Sequence, residues 1–140
     1  MAQKFYRIMD HTADTGFEVR GNSKKEVFEA AALAFFDIMW KAGDRKESKP
    51  ESCMITGSDT MELMVNFLEE FLYLYDAKGI ICTDLKVEKI TDTTIHAMVW
   101  LRHFNEKKDR ALLGVKAITY HQLFIEEKNG RWTARIFLDI

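Results

Sequence analysis

Apolar residues recur at helical spacing in two stretches of the chain. Val27, Ala31, Ala34, Phe35 and Ile38 lie three and four apart, the spacing that lines up one face of an α-helix. Ser23-Lys24-Lys25-Glu26 precedes them as a capping box, in which the serine hydroxyl and the glutamate carboxylate satisfy early backbone N–H groups. A helix is predicted over Ser23 to Trp40, with Gly43 as its stop signal. Met61, Met64, Val65, Leu68, Phe71, Leu72 and Tyr75 form the second stripe. Asp59 is its cap, Glu62 follows three residues on, and Lys78-Gly79 closes it. Between the two helices, Lys41 to Ser52 is charged and holds Gly43 and the single proline, Pro50, so it reads as a solvated loop.

The remaining apolar segments are β-branched and aromatic, alternating in places such as Leu85, Val87 and Lys89. Strands are predicted at Phe5 to Met9, Gly16 to Arg20, Cys53 to Thr56, Ile81 to Ile90 and Thr94 to Leu101. Gln122 to Lys128 and Arg131 to Leu138 flank Asn129-Gly130, a strong two-residue hairpin signal because both residues tolerate positive φ. Strands before, between and after only two helices predict a single α+β domain over residues 1–140. Its mainly antiparallel sheet packs with the two α-helices.

Composition narrows the class. The 140 residues are 47% apolar, enough for one core. Lys and Arg number 20 against 22 Asp and Glu, a net charge of −2. That balance lacks the basic excess of a phosphate-coating protein, so no direct nucleic-acid binding is expected. Cys53 and Cys82 lie far apart and match no zinc or disulfide pattern, which suits a reducing compartment. The most apolar stretch, Met61 to Tyr75, is broken by Glu62, Asn66, Glu69 and Glu70, and falls short of the roughly 20 apolar residues that span a bilayer. The opening residues Met-Ala-Gln-Lys-Phe-Tyr-Arg carry no apolar signal core, so a cytoplasmic setting is expected. No internal repeat is evident in the sequence.

Four segments carry candidate chemistry. Asp10-His11-Thr12-Ala13-Asp14-Thr15-Gly16 is a polar turn between two strands, where Asp10 and Asp14 offer oxygens and Gly16 a tight bend. Ordinary Asx and Ser/Thr turns explain Asp10 and Thr12 equally well. Gly114 to His121 is strand-like but interrupted by Lys116 and His121, which fall on opposite faces; each also suits a solvated structural role. Asp139-Ile140 presents a carboxylate beside an α-carboxylate, either a frayed end or, with Asp14, a hard-oxygen cation site favouring calcium or magnesium. Arg102 to Arg110 mixes cations with Glu106 and Asp109 and reads as a solvated loop. Phosphate loops, nucleophile elbows and zinc-protease helices are missing, so the sequence offers no self-sufficient active site.

Taken together, Asp10-His11-Thr12-Ala13-Asp14, Lys116-Ala117-Ile118-Thr119-Tyr120-His121 and Asp139-Ile140 resemble the archease family, in that order and over the whole chain. The resemblance implies an accessory protein, not an enzyme. Its expected role is to activate an RtcB-type RNA ligase in tRNA splicing and RNA repair by promoting GTP-dependent guanylylation and multiple turnover. An alternative within the same resemblance is a chaperone-like modulator of a tRNA cytosine-5 methyltransferase. The resemblance further implies a divalent metal ion, taken as calcium, at Asp14 and Asp139 with oxygen from Ile140. It also implies that Asp14, Lys116 and Asp139 are the residues needed for ligase activation. Ile118 stands where valine is also familiar in the motif, a conservative exchange.

Overall fold

The computed structural model describes residues 6–10 and 14–140, with side chains from Thr15 onward. Nine strands and two helices follow one another as β1 (Tyr6–Asp10), β2 (Asp14–Gly21), α1 (Lys24–Met39), β3 (Trp40–Lys41), β4 (Lys49–Thr56), α2 (Thr60–Lys78), β5 (Ile80–Ile90), β6 (Thr94–His103), β7 (Arg110–Ala111), β8 (Ala117–Lys128) and β9 (Arg131–Asp139). They form a four-stranded sheet in the order β1-β2-β9-β8, a three-stranded sheet β4-β6-β5 and the short pair β3-β7. All pairings are antiparallel. The architecture is the α+β domain that the sequence predicts.

The helices lie between the two larger sheets. α1 packs on β2 and β9 on one side and on β5 on the other, while α2 packs on β8 and on β4 and β5. This position explains a feature that the helical stripe alone misses. In α1 the buried residues include Ala30, Ala31, Ala32 and Ala34 as well as Val27, Phe35 and Ile38, so the helix is covered nearly all round. A helix clad on both sides needs small residues where a sheet approaches closely and has little use for a polar face. One contiguous apolar core results.

The two helix starts are built alike. Ser23 Oγ accepts the Glu26 N–H at 3.1 Å and the Asn22 N–H donates to Glu26 Oε1 at 3.3 Å. Asp59 Oδ1 accepts the Glu62 N–H at 2.8 Å while the Ser58 N–H donates to Glu62 Oε1 at 3.0 Å. In each, the cap side chain satisfies an early helix N–H while the glutamate reaches back to the N–H of the residue before the cap. Lys24 Nζ reaches Thr60 Oγ1 at 3.1 Å and Asp92 at 2.7 Å, which brings both starts together. The helices therefore run side by side in the same direction. Phe28, Phe67, Phe71, Phe36, Trp40, Tyr75 and Phe104 pack in succession between and beyond them, mostly edge-on or tilted, with ring centroids 4.9–6.1 Å apart. Aromatic contacts at these separations stabilise beyond simple area burial.

Three local expectations are corrected. α1 ends at Met39 because Trp40 turns extended and pairs with Ala111, not because Gly43 stops it. A Cβ on Gly43 would collide with the Lys108 carbonyl, so that glycine serves a close approach of two backbones. The loop predicted over Lys41 to Ser52 is also shorter than expected. β4 begins at Lys49, and Pro50 lies opposite Trp100 on an edge strand, where its missing N–H costs no interior ladder bond. Finally, Arg102 to Arg110 is a solvated turn only in its middle, where Asn105, Glu106 and Lys107 are exposed. Arg102 and Asp109 are each 7% exposed, and the guanidinium meets the carboxylate at 2.6 and 2.7 Å.

Candidate functional site

β9 runs between β2 and β8, so its last residues touch both neighbours. Asp14, the first residue of β2, stands opposite Asp139 in the register. Ala117, the first residue of β8, stands opposite Asp139 on the other side. The Lys116 N–H donates to the Asp139 carbonyl at 2.7 Å. Three segments far apart in sequence thus meet at one end of one sheet. Lys116, Asp139 and Ile140 are exposed.

The approach of Lys116 to this edge is fixed from below. The N–H groups of Leu112 and Leu113 donate to the carbonyls of Met39 and Ile38 at 2.9 and 3.1 Å, which satisfies the last turn of α1. Val115 is buried, anchoring the segment between that turn and β8. Strand pairing therefore begins at Ala117, not at Gly114.

Beyond Thr119 the alternation expected through His121 is interrupted. Thr119 pairs with Phe137 and the next matched pair is Phe124 with Arg135. The extra residues form a bulge in which Gln122 takes a positive φ of 51° and Tyr120 and His121 are exposed. Bulges of this kind re-aim side chains at sheet edges and rims. The His121 ring lies 5.9 Å from that of Phe137, and Phe137 in turn covers Gly16 on the neighbouring strand. Gly16 lies within β2 and makes no bend. A Cβ there would fall 2.5 Å from the Phe137 ring. Gly16→Ala is expected to cost about 1–3 kcal/mol of unfolding free energy by displacing a buried ring. Urea unfolding measures it, and an unchanged midpoint would contradict the packing.

Asp10 ends β1 opposite Thr15, while His11, Thr12 and Ala13 lie outside the described residues. Among the described residues, no group of three or more His, Cys, Asp or Glu side chains is arranged to hold a metal. A cation at the sheet end would need Asp14 together with Asp139 and oxygen from Ile140. Carboxylate and carbonyl oxygens of that kind suit a hard cation. The two cysteines are free; burial pushes the Cys53 thiol up to about 11 and the Cys82 thiol up to about 12, so neither is a ready nucleophile.

The sequence signals for Asp14, Lys116 and Asp139 were local motifs, and the register joins them. The Gly16–Phe137 contact, the docking of Leu112 and Leu113 on α1, and the Arg102–Asp109 pair had no such signal. The first two depend on partners distant in sequence, and the third, seven residues apart, on burial by the packed fold.

Comparison with known proteins adds to this geometry. The family model described as "Archease protein family (MTH1598/TM1083)" matches residues 6–140. Protein archease of Pyrococcus furiosus is 36% identical over 135 residues, covering 94% of this chain and 95% of that protein. Protein archease of Methanosarcina acetivorans is 33% identical over 141 residues, covering 98% and 97%. The solution structure of Methanobacterium thermoautotrophicum protein 1598 superimposes with a TM-score of 0.74 at 29% identity, covering 99% of this chain and all of that one. The crystal structure of an archease, possible chaperone, from Thermotoga maritima gives a TM-score of 0.65 at 19% identity, with 94% of each chain covered, a likeness of fold.

Proposed function

The chain belongs to the archease family, and on that premise we propose that it is an accessory protein that activates an RtcB-type RNA ligase in tRNA splicing and RNA repair. Its role in this reading is to promote GTP-dependent guanylylation of the ligase and its multiple turnover. The setting is the cytoplasm, and among the described residues no helix is long and apolar enough to cross a membrane.

The observation that supports the reading is the meeting of Asp14, Asp139 and Lys116 at one end of the β2-β9-β8 ladder. Two aspartates and a lysine brought to one sheet end, with Lys116 and Asp139 exposed, would form a small charged head for another protein's nucleotide site. Asp14, Asp139 and an oxygen of Ile140 would hold a divalent cation, taken as calcium, which would supply fixed positive charge. Lys116 balances the carboxylates and is free to meet a phosphate oxygen. The test is guanylylation of purified ligase by labelled GTP with and without this protein. Faster labelling and several rounds of RNA joining per ligase are expected; an unchanged rate would sink the reading.

Metal binding is checked separately. If the cation ties the chain end to β2, calcium at about 100 times its Kd adds about 2.7 kcal/mol to stability. Tm should rise with calcium in the wild type, and Asp139→Asn should remove the rise. A Tm indifferent to calcium and to chelator would count against the ion.

A second reading is favoured by the designation of the Thermotoga maritima relative as a possible chaperone. Here the protein keeps a tRNA cytosine-5 methyltransferase soluble and sharpens its specificity. That activity would survive Lys116→Ala, which separates the two readings.

A further inference from the structure

The face of the four-stranded sheet turned away from the helices is charged unevenly from end to end. Ala134, Ile136 and Leu138 of β9 are buried in the core, so by strand alternation Arg131, Thr133, Arg135 and Asp139 lie on the other side. Arg20 stands opposite Thr133, and Lys128 stands opposite Arg131. Opposite and diagonal neighbours in a ladder are separated by about 5–8 Å. Three cations from three strands thus crowd the hairpin end of this face, around a groove of about 800 Å³.

These cations are unspent. Among the described residues, Arg20, Lys128 and Arg131 are exposed and none donates a side-chain hydrogen bond or forms an ion pair. Glu18, Glu26 and Glu126 also line the groove; Glu18 is held by Arg135 at 2.7 Å and Glu26 accepts the Asn22 N–H at 3.3 Å, so the three cations with Arg135 exceed the three acids by one. A second groove, of about 1010 Å³ beside Phe104, differs. Its Arg102 and Lys108 are already engaged by Asp109 and Asp44, and Glu47, Glu51 and Glu106 interleave with its other cations.

We propose that Arg20, Lys128 and Arg131 form a contact site for the phosphate backbone of RNA. Unpaired cations at close spacing on an open face suit a run of phosphates, with guanidinium groups able to bind phosphate oxygens in pairs. The choice of RNA over other polyanions rests on the proposed role beside an RNA ligase. Asp139 lies eight residues along β9 from Arg131, about 26 Å at strand rise. RNA held at the basic end would be anchored well away from the acidic head. The net charge of −2 does not oppose this, because the fold gathers three of the cations onto one face.

The experiment uses the full chain and a fluorescein-labelled RNA hairpin, followed by anisotropy at 50 and 200 mM salt. Three neutralised phosphates give a log–log slope of about −2.7, or an affinity loss of about 40-fold over that range. The triple variant Arg20→Gln, Lys128→Gln, Arg131→Gln should bind at least tenfold more weakly at 50 mM with a slope near zero. Arg131→Lys should retain most of the binding. Wild-type protein that ignores the hairpin at 50 mM, or a triple variant that binds as well as wild type, overturns the site. In the ligase assay the triple variant should still stimulate guanylylation, which needs no RNA, while losing stimulation of RNA joining. Loss of guanylylation together with unchanged RNA affinity would make the patch a protein-docking surface and also overturn it. A wild-type protein that binds RNA through this patch yet leaves the ligase unaffected would count against the ligase reading and leave the RNA contact standing.

Discussion

Replacing Asp109 by alanine is expected to lower the unfolding free energy by about 3–5 kcal/mol, the range for breaking one partner out of a buried ion pair. Its carboxylate accepts two bonds from Arg102 and one each from the N–H groups of Gly43 and Asn105, all between 2.6 and 2.8 Å. Arg102 also donates to the carbonyls of His103 and Asp44, while its Nε is buried without a partner. Removing the carboxylate strands a positive charge in a dry site and frees two backbone donors. It also loosens the seat of Gly43 against Lys108. Urea unfolding of Asp109→Ala measures the loss, and a change below 1 kcal/mol would refute the role given to the pair. The double variant Arg102→Met, Asp109→Leu should recover part of it, since an apolar pair carries no stranded charge.

The same pair predicts a pH dependence. Hydrogen bonding to Arg102, then to the two backbone N–H groups, outweighs burial and holds the Asp109 carboxyl well below the usual carboxylate range. Because its native pKa lies below the free value of 3.8, the unfolded chain takes up the proton first as pH falls. The contribution is complete above about pH 5 and is lost steadily below it, so Asp109→Asn should flatten the acid limb of the stability curve.

The second large effect belongs to the charged head. In the proposed role, Lys116→Ala, Asp14→Ala and Asp139→Ala should each cut stimulation of ligase guanylylation by about tenfold or more. That loss corresponds to one charge-assisted contact of about 1.5–3 kcal/mol. Lys116 and Asp139 are exposed, so both proteins should stay folded, with stability within about 0.5 kcal/mol of wild type. Lys116→Arg should restore part of the stimulation by keeping the charge. Three variants that stimulate as wild type does would remove the site while leaving the family membership untouched.

Much of the fold could be read from local signals. Ser23 and Glu26, and Asp59 and Glu62, cap helices where expected, and Gly79 closes α2 with a φ of 64°. Asn129 and Gly130 turn the last hairpin with φ values of 55° and 78°. In each case the signal and its partner lie within a few residues, so backbone sterics and short-range hydrogen bonds decide the outcome. The motif residues Asp14, Lys116 and Asp139 were likewise visible as reactive side chains in unusual local surroundings.

What the chain determines on its own is therefore where helices and turns begin and end, and which residues carry the chemistry. The tertiary structure alone decided the rest. It set α1 between two sheets, where Ala30 to Ala34 are needed for close approach, and drew Pro50 onto an edge strand. It turned Arg102 and Asp109 from apparent loop charges into a buried pair. It aligned Asp14, Asp139 and Lys116 through the central position of β9. These outcomes depend on which distant segments pair and in what register. A strand shifted by one residue turns its side chains to the other face, so register is a property of the packed sheet and no single segment encodes it.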